Sequence, residues 1–422
     1  MMSQPDFETE DTIIAEASPG GTGAISILRI CGDEMPQIAS RLGIRVSSWQ
    51  PGKTQLLDLP GYDQVMAVFF KAPHSYTGEN ILEIFCHGSP IIVDRFIDGF
   101  CRQGARMAEP GEFTWRAVLN GKMTIDEAER INRRIHSRSL EELEIINKTP
   151  DLKSILEKLL AKAREALVYL ETEIEFQEES AASNLRPIEA ELEFLLNQGE
   201  ISRQNRNLPG ILLYGPPNCG KSTLFNYILG YSRALVSKIP GTTRDYIEAE
   251  LKIRGRVVRL LDSAGMRDST DEIEKAGVSR TRDLVKNSDV VIHFGTLQPD
   301  FAGKYSNKTI PVQGKADLPG LEPDGLIGVS GKTGLGVNKL LDQIIGLIKD
   351  RRQENNWQIW ISERFANQLD LLHNIFKELL EAPLPELKAE QMKVFINQIT
   401  GYLEQPPQDL YGEIFSRFCI GK

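Results

Sequence analysis

The sequence is short of the features that mark secreted, membrane-spanning and nucleic-acid-wrapping proteins. Its 422 residues hold five cysteines, Cys31, Cys86, Cys101, Cys219 and Cys419. Their spacing gives neither the paired pattern of a zinc site nor the density of a disulfide framework, which points to a reducing compartment. No run approaches the ~18 consecutive apolar residues of a membrane span. The opening stretch MMSQPDFETED is acidic and carries no apolar core and no arginine-rich pattern, so no targeting leader is expected and the cytoplasm is the default location. Basic charge is scarce too, the formal net charge being -10. Non-specific attraction to DNA or RNA depends on Lys and Arg displacing counterions. No DNA partner and no membrane are therefore expected, and an RNA partner requires a local basic patch or a second protein.

Apolar residues make up 41% and charged residues 26% of the chain, the balance of an ordinary folded protein. The length exceeds the ~100 to 200 residues usual for one domain, so two or three cores are expected. Residues 12 to 120 mix short β-type runs, such as Ala24 to Arg29 and Val65 to Phe70, with Gly and Pro punctuation, which reads as an α+β domain over 1–122. From Thr124 the pattern becomes helical: Leu152, Ile155, Leu156, Leu159, Leu160, Ala163, Leu167, Leu170 and Ile174 share one face.

Residues 208–349 alternate apolar runs with helical stretches, the runs being Ile211 to Tyr214, Val257 to Leu261, Val290 to Phe294, Ile310 to Gln313 and Leu326 to Val329. That alternation predicts a mostly parallel sheet flanked by helices. Helical periodicity returns after Gln353 with Phe365, Leu369, Leu372, Phe376 and Leu379. The simplest arrangement joins 123–207 and 350–422 into one helical domain with the α/β unit inserted between them; two separate bundles fit the periodicity nearly as well.

Gly215-Pro-Pro-Asn-Cys-Gly220-Lys221-Ser222 fits G-x-x-x-x-G-K-[ST] and lies after a predicted strand and before a predicted helix. In such a P-loop the backbone N–H groups from Gly215 through Asn218, Cys219 and Gly220 to Thr223 wrap the phosphates. Lys221 reaches the β and γ groups, and the Ser222 hydroxyl holds magnesium. Gly241-Thr242-Thr243-Arg244-Asp245 sits where a first switch places a threonine over the γ-phosphate and the magnesium. Asp262-Ser263-Ala264-Gly265 ends a predicted strand, which sets its carboxylate at the edge facing the metal. Lys315-Ala316-Asp317-Leu318 and Ser330-Gly331-Lys332-Thr333 follow the last two predicted strands. An aspartate at 317 can accept both N1–H and the 2-amino group of guanine, a donor pair that adenine lacks, so the nucleotide is GTP.

Two positions depart from a Ras-like site. Gly314 stands where Asn-Lys-x-Asp has its asparagine, so an amide that bonds guanine and braces the P-loop is missing, at a cost of about 1 to 2 kcal/mol of nucleotide affinity. Met266 follows Gly265 where Ras-like proteins use a glutamine to orient water. The stretch Met266 to Glu274 offers several carboxylates, and the residues alone do not choose among them.

The whole length is similar to the family of the tRNA modification GTPase MnmE, also called TrmE. The resemblance is carried by Asp11-Thr-Ile-Ile-Ala, by Ser75-Tyr-Thr-Gly-Glu-Asn80 leading to His87-Gly88, by Pro110 to Lys122, by the GTPase segments, and by the ending Ile414-Phe-Ser-Arg-Phe-Cys-Ile-Gly-Lys422. It implies an N-terminal domain that binds a tetrahydrofolate one-carbon donor (5,10-methylene- or formyl-tetrahydrofolate) and mediates homodimerisation. Arg29, Glu83 and Lys122 match its folate contacts, although on chemistry alone Arg29 and Lys122 read as surface charges. Lys422 is counted with the cofactor contacts at the chain end, and Cys419 is implied in the modification reaction. Asn218 matches a potassium ligand that replaces an arginine finger, with main-chain carbonyls near Lys238 to Pro240 completing the site when two GTPase domains meet. Glu274 matches the residue that positions water.

The resemblance further implies an FAD-binding partner, MnmG, with which the family modifies C5 of the wobble uridine, U34, in certain tRNAs. Ser263 in place of threonine is a mild departure. The segment Arg130-Ile-Asn-Arg-Arg-Ile-His136, where the family has an Ala-Asp-Leu-Ile type sequence, bears on partner docking. Two other readings stay open: a GTP-dependent switch or ribosome-assembly protein, and a folate-binding scaffold with a decayed GTPase.

Overall fold

A computed structural model gives the structure, which describes residues 11–176, 182–205, 208–231, 247–262, 284–297, 304–319, 326–354, 356–404, 411–415, 418 and 421. The chain divides into two compact units: Met1–Ile135, Asp151–Ile188 and Asn374–Lys422 form one, and His136–Pro150 with Glu189–His373 the other.

The chain opens with β1 (Ile13–Glu16), β2 (Ile25–Cys31), α1 (Met35–Arg41), β3 (Thr54–Leu59), β4 (Asp63–Phe70) and β5 (Ile81–His87). Then come α2 (Pro90–Arg102), β6 (Arg106–Met107), α3 (Glu112–Leu119), α4 (Ile125–Ile135), α5 (Leu140–Lys148), α6 (Leu152–Phe176) and α7 (Ala182–Gln204). The P-loop region supplies β7 (Gly210–Tyr214), α8 (Lys221–Tyr231), β8 (Ile247–Ile253), β9 (Arg256–Asp262), β10 (Val290–Phe294), β11 (Thr309–Gly314) and β12 (Ile327–Val329). The described helices that follow are α9 (Val337–Glu354), α10 (Glu363–Glu381), α11 (Pro385–Leu403) and α12 (Tyr411–Ile414).

The first unit is built on a sheet ordered β3-β4-β5-β2-β1-β6, antiparallel except for the short β1–β6 pair. Period-two alternation in β2 and β5 turns Leu28, Ile30, Leu82 and Ile84 to one face, where Phe96 and Phe100 of α2 cover them. The same register sets Arg29 directly opposite Glu83 on the other face. That face carries Ile13, Cys31 and Ile81 under Phe113 of α3.

The chain's last described residues return to this unit. Tyr411 donates to the Pro110 carbonyl at 2.9 Å, and Phe415 and Phe418 pack with Trp115 and Ala128. Gly111, at φ +73, is required there, because a Cβ would stand 2.5 Å from the Phe415 carbonyl oxygen. Burying Phe415 alone stabilises this return by about 2 to 3 kcal/mol. The one-faced helix expected over 152–174 is α6, which packs along α11 and bonds it through Lys393 and Glu171 at 2.9 Å.

The second unit carries a sheet ordered β12-β11-β10-β7-β9-β8. Its pairs are parallel except β8–β9, as the alternation of apolar runs predicts. Strands buried on both faces need apolar runs rather than alternation. In β7 the run Ile211-Leu-Leu213 supplies this: Ile211 and Leu213 join Leu224, Val312 and Leu340 on one side, and Leu212 joins Val291 on the other. The antiparallel edge strand β8 was not among the expected strands, although Ile247-Glu-Ala-Glu-Leu-Lys-Ile253 alternates cleanly.

Candidate functional site

The C-terminal ends of β7, β9, β10, β11 and β12 converge, and the nucleotide motifs sit on those ends. This is where an open parallel sheet offers a crevice for ligands. β7 leads into the P-loop, where Gly215 (φ +149) and Gly220 (φ +107) take backbone conformations that L side chains avoid. A Cβ on Gly215 would stand 2.7 Å from Cβ of Phe294, so β10 also enforces glycine there. Asn218 is a non-glycine at φ +60, exposed at the loop surface.

Lys221 is buried, and its ammonium donates to the carbonyls of Gly215 at 2.8 Å and Pro216 at 2.7 Å. The loop is thereby held in a ring around its own cation, with the N–H groups at the start of α8 left for an anion. The Ser222 hydroxyl donates to Oδ2 of Asp262 at 2.8 Å. Asp262 is buried at the end of β9, paired with Leu213 across the sheet. A hydroxyl and a carboxylate meeting beside a phosphate loop are the hard oxygen donors that suit magnesium. Among the described residues no cluster of His, Cys, Asp and Glu offers a transition-metal site.

Beyond the P-loop lies a cleft of about 240 Å³ lined by Thr223, Phe294, Gly314, Lys315, Asp317 and Ser330, among others. The buried Ser330 hydroxyl oxygen accepts from the amides of Lys332 and Thr333, each at 3.2 Å. The Ser330 hydroxyl, then the backbone, then Lys332 and Lys315 hold the Asp317 carboxyl below the usual aspartate range. The cleft therefore carries an ionised carboxylate on this wall.

The structure therefore brings Gly215, Asn218, Cys219, Gly220, Lys221, Ser222, Thr223 and Asp262 together at one end of the crevice and Lys315, Asp317 and Ser330 at the other. Gly241, Thr242, Thr243, Ser263, Ala264, Gly265 and Glu274 lie outside the described residues. Phe294 is the cleft residue that sequence reasoning passes over. It sits inside a strand run and reads as core, and only the three-dimensional meeting of β10 with Gly314 reveals it.

In the first unit, Glu83 Oε1 accepts from Nε and Nη2 of Arg29 at 2.9 and 2.8 Å. Arg29 Nη1 donates to the Gly421 carbonyl at 3.1 Å, and its guanidinium lies over Tyr76 and Phe113. The Arg29 side chain is only 17% exposed, so the surface-charge reading of this residue fails. Lys122 makes a different contact, donating to the Pro73 carbonyl at 3.0 Å. Cys419 and Lys422 lie outside the described residues, on either side of Gly421.

Two family models match the chain: GTP-binding protein TrmE N-terminus over residues 12–122, and 50S ribosome-binding GTPase over 210–311. Among curated proteins, a tRNA modification GTPase MnmE of Thermus thermophilus is 34% identical over 98% of this chain and 99% of its own length. Those of Thermotoga petrophila and Pseudothermotoga lettingae are 31% and 33% identical, over 98% of this chain and 100% of theirs. Among the described residues no helix is long and apolar enough to cross a membrane. With relatives of 31 to 34% identity covered over nearly their full length, the chain belongs to the family of the tRNA modification GTPase MnmE, and it is a GTP hydrolase of tRNA modification.

Proposed function

We propose that this protein is a potassium-activated GTPase which, with an FAD-binding partner of the MnmG type, modifies C5 of the wobble uridine of certain tRNAs using a tetrahydrofolate one-carbon unit. The observation that carries the folate half is the meeting of three remote segments at Arg29: Glu83 from β5, the Gly421 carbonyl from the chain end, and the rings of Tyr76 and Phe113. Glu83 Oε2 accepts no bond among the described residues, so an acceptor is left for the amino-pyrimidine edge of a pterin. Gly421 is anchored there, and Cys419 precedes it by two positions in the sequence. Lys122 and Lys422 complete the cofactor contacts in this reading.

In the GTPase half, the loop N–H groups bind and orient the phosphates, and Lys221 exchanges the Gly215 and Pro216 carbonyls for the β and γ groups. Ser222 and Thr243 hold magnesium, with Asp262 bonded to the Ser222 hydroxyl. Asn218 with main-chain carbonyls near Lys238 to Pro240 would hold potassium. Bound, these cations supply positive charge between the phosphates where charge builds in the transition state. Glu274 positions water in place of the glutamine that Met266 displaces. The exposure of Asn218 at the loop surface supports a site completed by a second GTPase domain, hence a homodimer, and the reading places the protein in the cytoplasm. In this reading 123–207 and 350–422 form one helical domain around an inserted 208–349; the packing of α6 along α11, both in the first unit, supports the joining of those two helices alone.

GTP turnover measured in potassium and in sodium buffer tests this assignment. Faster hydrolysis in potassium, lost in Asn218→Ala, is expected; equal rates in the two salts overturn the potassium site. For the tRNA half, Cys419→Ser is expected to abolish modified wobble uridine while GTP turnover persists. Unchanged modification would favour a GTP-dependent switch instead.

A further inference from the structure

The cleft beside the P-loop lacks the amide that its motif ordinarily supplies, and the structure shows why. An added Cβ on Gly314 would collide with the Cys219 carbonyl oxygen and lie 2.9 and 3.0 Å from two ring carbons of Phe294. The first obstacle is backbone of the P-loop. The second is a ring 2% exposed, fixed in β10 by the pairing of Phe294 with Val312. An asparagine therefore cannot stand at 314 beside this phenylalanine. The loop carbonyl that an asparagine amide would bond has instead closed directly onto β11.

Guanine held by Asp317 through N1–H and the 2-amino group turns its O6–N7 edge away from that carboxylate, toward the remaining walls. One of those walls is Phe294 with Gly314. Among the described residues, none that lines the cleft carries a side-chain amide. Resting on the reading that this cleft takes guanine, we propose that Phe294 and Gly314 act as a compensating pair that makes the base site blind to purine N7. Base selection is then confined to the face read by Asp317. Phe294 is a specificity-determining residue, and guanine nucleotides whose N7 is replaced by carbon are bound as well as the natural ones.

Calorimetric titration of the full chain with GDP, 7-deaza-GDP and inosine diphosphate tests this without turnover. GDP and 7-deaza-GDP are expected to bind within about twofold of each other, since neither Phe294 nor Gly314 offers N7 a side-chain donor whose bond could be lost. A loss of about tenfold or more with 7-deaza-GDP overturns the proposal. Inosine diphosphate, which lacks the 2-amino group, judges the underlying reading separately: equal binding of it and GDP removes Asp317 as the guanine reader, whatever 7-deaza-GDP does. In the Phe294→Val, Gly314→Asn double variant the ring no longer blocks the amide while the Cys219 carbonyl must still give way, so GDP binds more weakly than in the wild type but is expected to outbind 7-deaza-GDP by about five- to tenfold, one hydrogen bond's worth. No preference in that variant, with its P-loop still binding GDP, also overturns the pairing. Gly314→Asn alone is expected to weaken both nucleotides alike by displacing the Cys219 carbonyl. The wild-type comparison decides the question even if neither variant folds.

Discussion

Ser222 Oγ lies 2.8 Å from Asp262 Oδ2, so the first turn of α8 and the end of β9 meet at a single polar point beside the phosphate loop. Asp262 is buried and Ser222 donates to it, which keeps both oxygens aimed at one place. Ser222→Ala and Asp262→Asn are each expected to reduce GTP turnover by about 10²- to 10³-fold, the usual loss when one group that stabilises transition-state charge is removed. The magnesium concentration for half-maximal rate should rise in both variants. A rate defect with an unchanged magnesium requirement would place these residues outside the metal site.

Asp317 is held ionised by the Ser330 hydroxyl above all, with the backbone, Lys332 and Lys315 adding to it. Only the ionised form accepts two donors from guanine, and its pKa is lowered from the ordinary 3.8. GDP affinity should therefore stay level as pH falls toward the usual aspartate range and fail only below it. Ser330→Ala removes the largest cause, so the loss of affinity moves to higher pH, while affinity at pH 7, where the carboxyl stays ionised in both proteins, should change little. Titration calorimetry from pH 7 down to about 3 reads both profiles. An unshifted profile in Ser330→Ala would show that the hydroxyl does not set this carboxyl.

Much of this architecture was legible because its signals are local. The run Ile211-Leu-Leu213 is apolar on both faces because β7 is buried on both faces, and G-x-x-x-x-G-K-S marks a loop whose glycines are required by positive φ. What stayed hidden depends on contacts between segments far apart in sequence. Arg29 reads as a surface charge until β5 places Glu83 across from it and the chain end delivers the Gly421 carbonyl. Phe294 reads as one more strand residue until Gly314 is found against its ring. β8 is the opposite case: Ile247-Glu-Ala-Glu-Leu-Lys-Ile253 alternates within a single segment, so its signal is local.

Glu112 is fully buried and ties β6 to α3. Arg106 reaches both of its oxygens at 2.7 and 2.9 Å, and Arg116, 1% exposed, bonds Oε1 at 3.0 Å. Burial opposes its ionisation, but the bonds from Arg106 and the Glu109 amide, with the charges of Arg116 and Arg106, hold its pKa below the ordinary 4.5. A carboxyl depressed on folding contributes stability that is full above its unfolded pKa and lost as pH falls through the folded one. Glu112→Gln should therefore cost about 1.5 to 3 kcal/mol at neutral pH, the loss of charge-assisted bonds, because Arg116 keeps Glu79 at 3.2 Å and Arg106 keeps Asp11 at 2.9 Å. It should also flatten the acid limb between about pH 4.5 and the lower folded pKa. Amide hydrogen exchange in β1 to β5 measures this locally, which avoids treating a chain with two compact units as one transition. An acid limb as steep in Glu112→Gln as in the wild type would assign the pH dependence to other carboxylates.

Gly331 and Gly346 make a controlled pair. A Cβ on Gly331 would stand 2.5 Å from the backbone of Thr223 and Leu224, so the loop carrying Ser330 rests directly on the start of α8. With no asparagine at 314 to tie the two sides of the nucleotide site together, this backbone contact and that of Gly314 with Cys219 carry the connection. Gly331→Ala should push the Ser330 loop off α8 and misplace Asp317 relative to the P-loop. GDP affinity should fall by about tenfold or more, since misplacement on the order of 1 Å is enough to lose a bond. Gly346 lies in α9 with nothing within 4 Å of where a Cβ would go. Gly346→Ala should leave GDP affinity unchanged and stabilise the helix by about 1 kcal/mol, the ordinary gain of alanine over glycine in a helix interior. Calorimetry of both variants against the wild type separates a binding defect from a general one. Equal GDP affinities in the two variants would mean that the Ser330 loop shifts without cost and that the close contact at Gly331 does not position the guanine site.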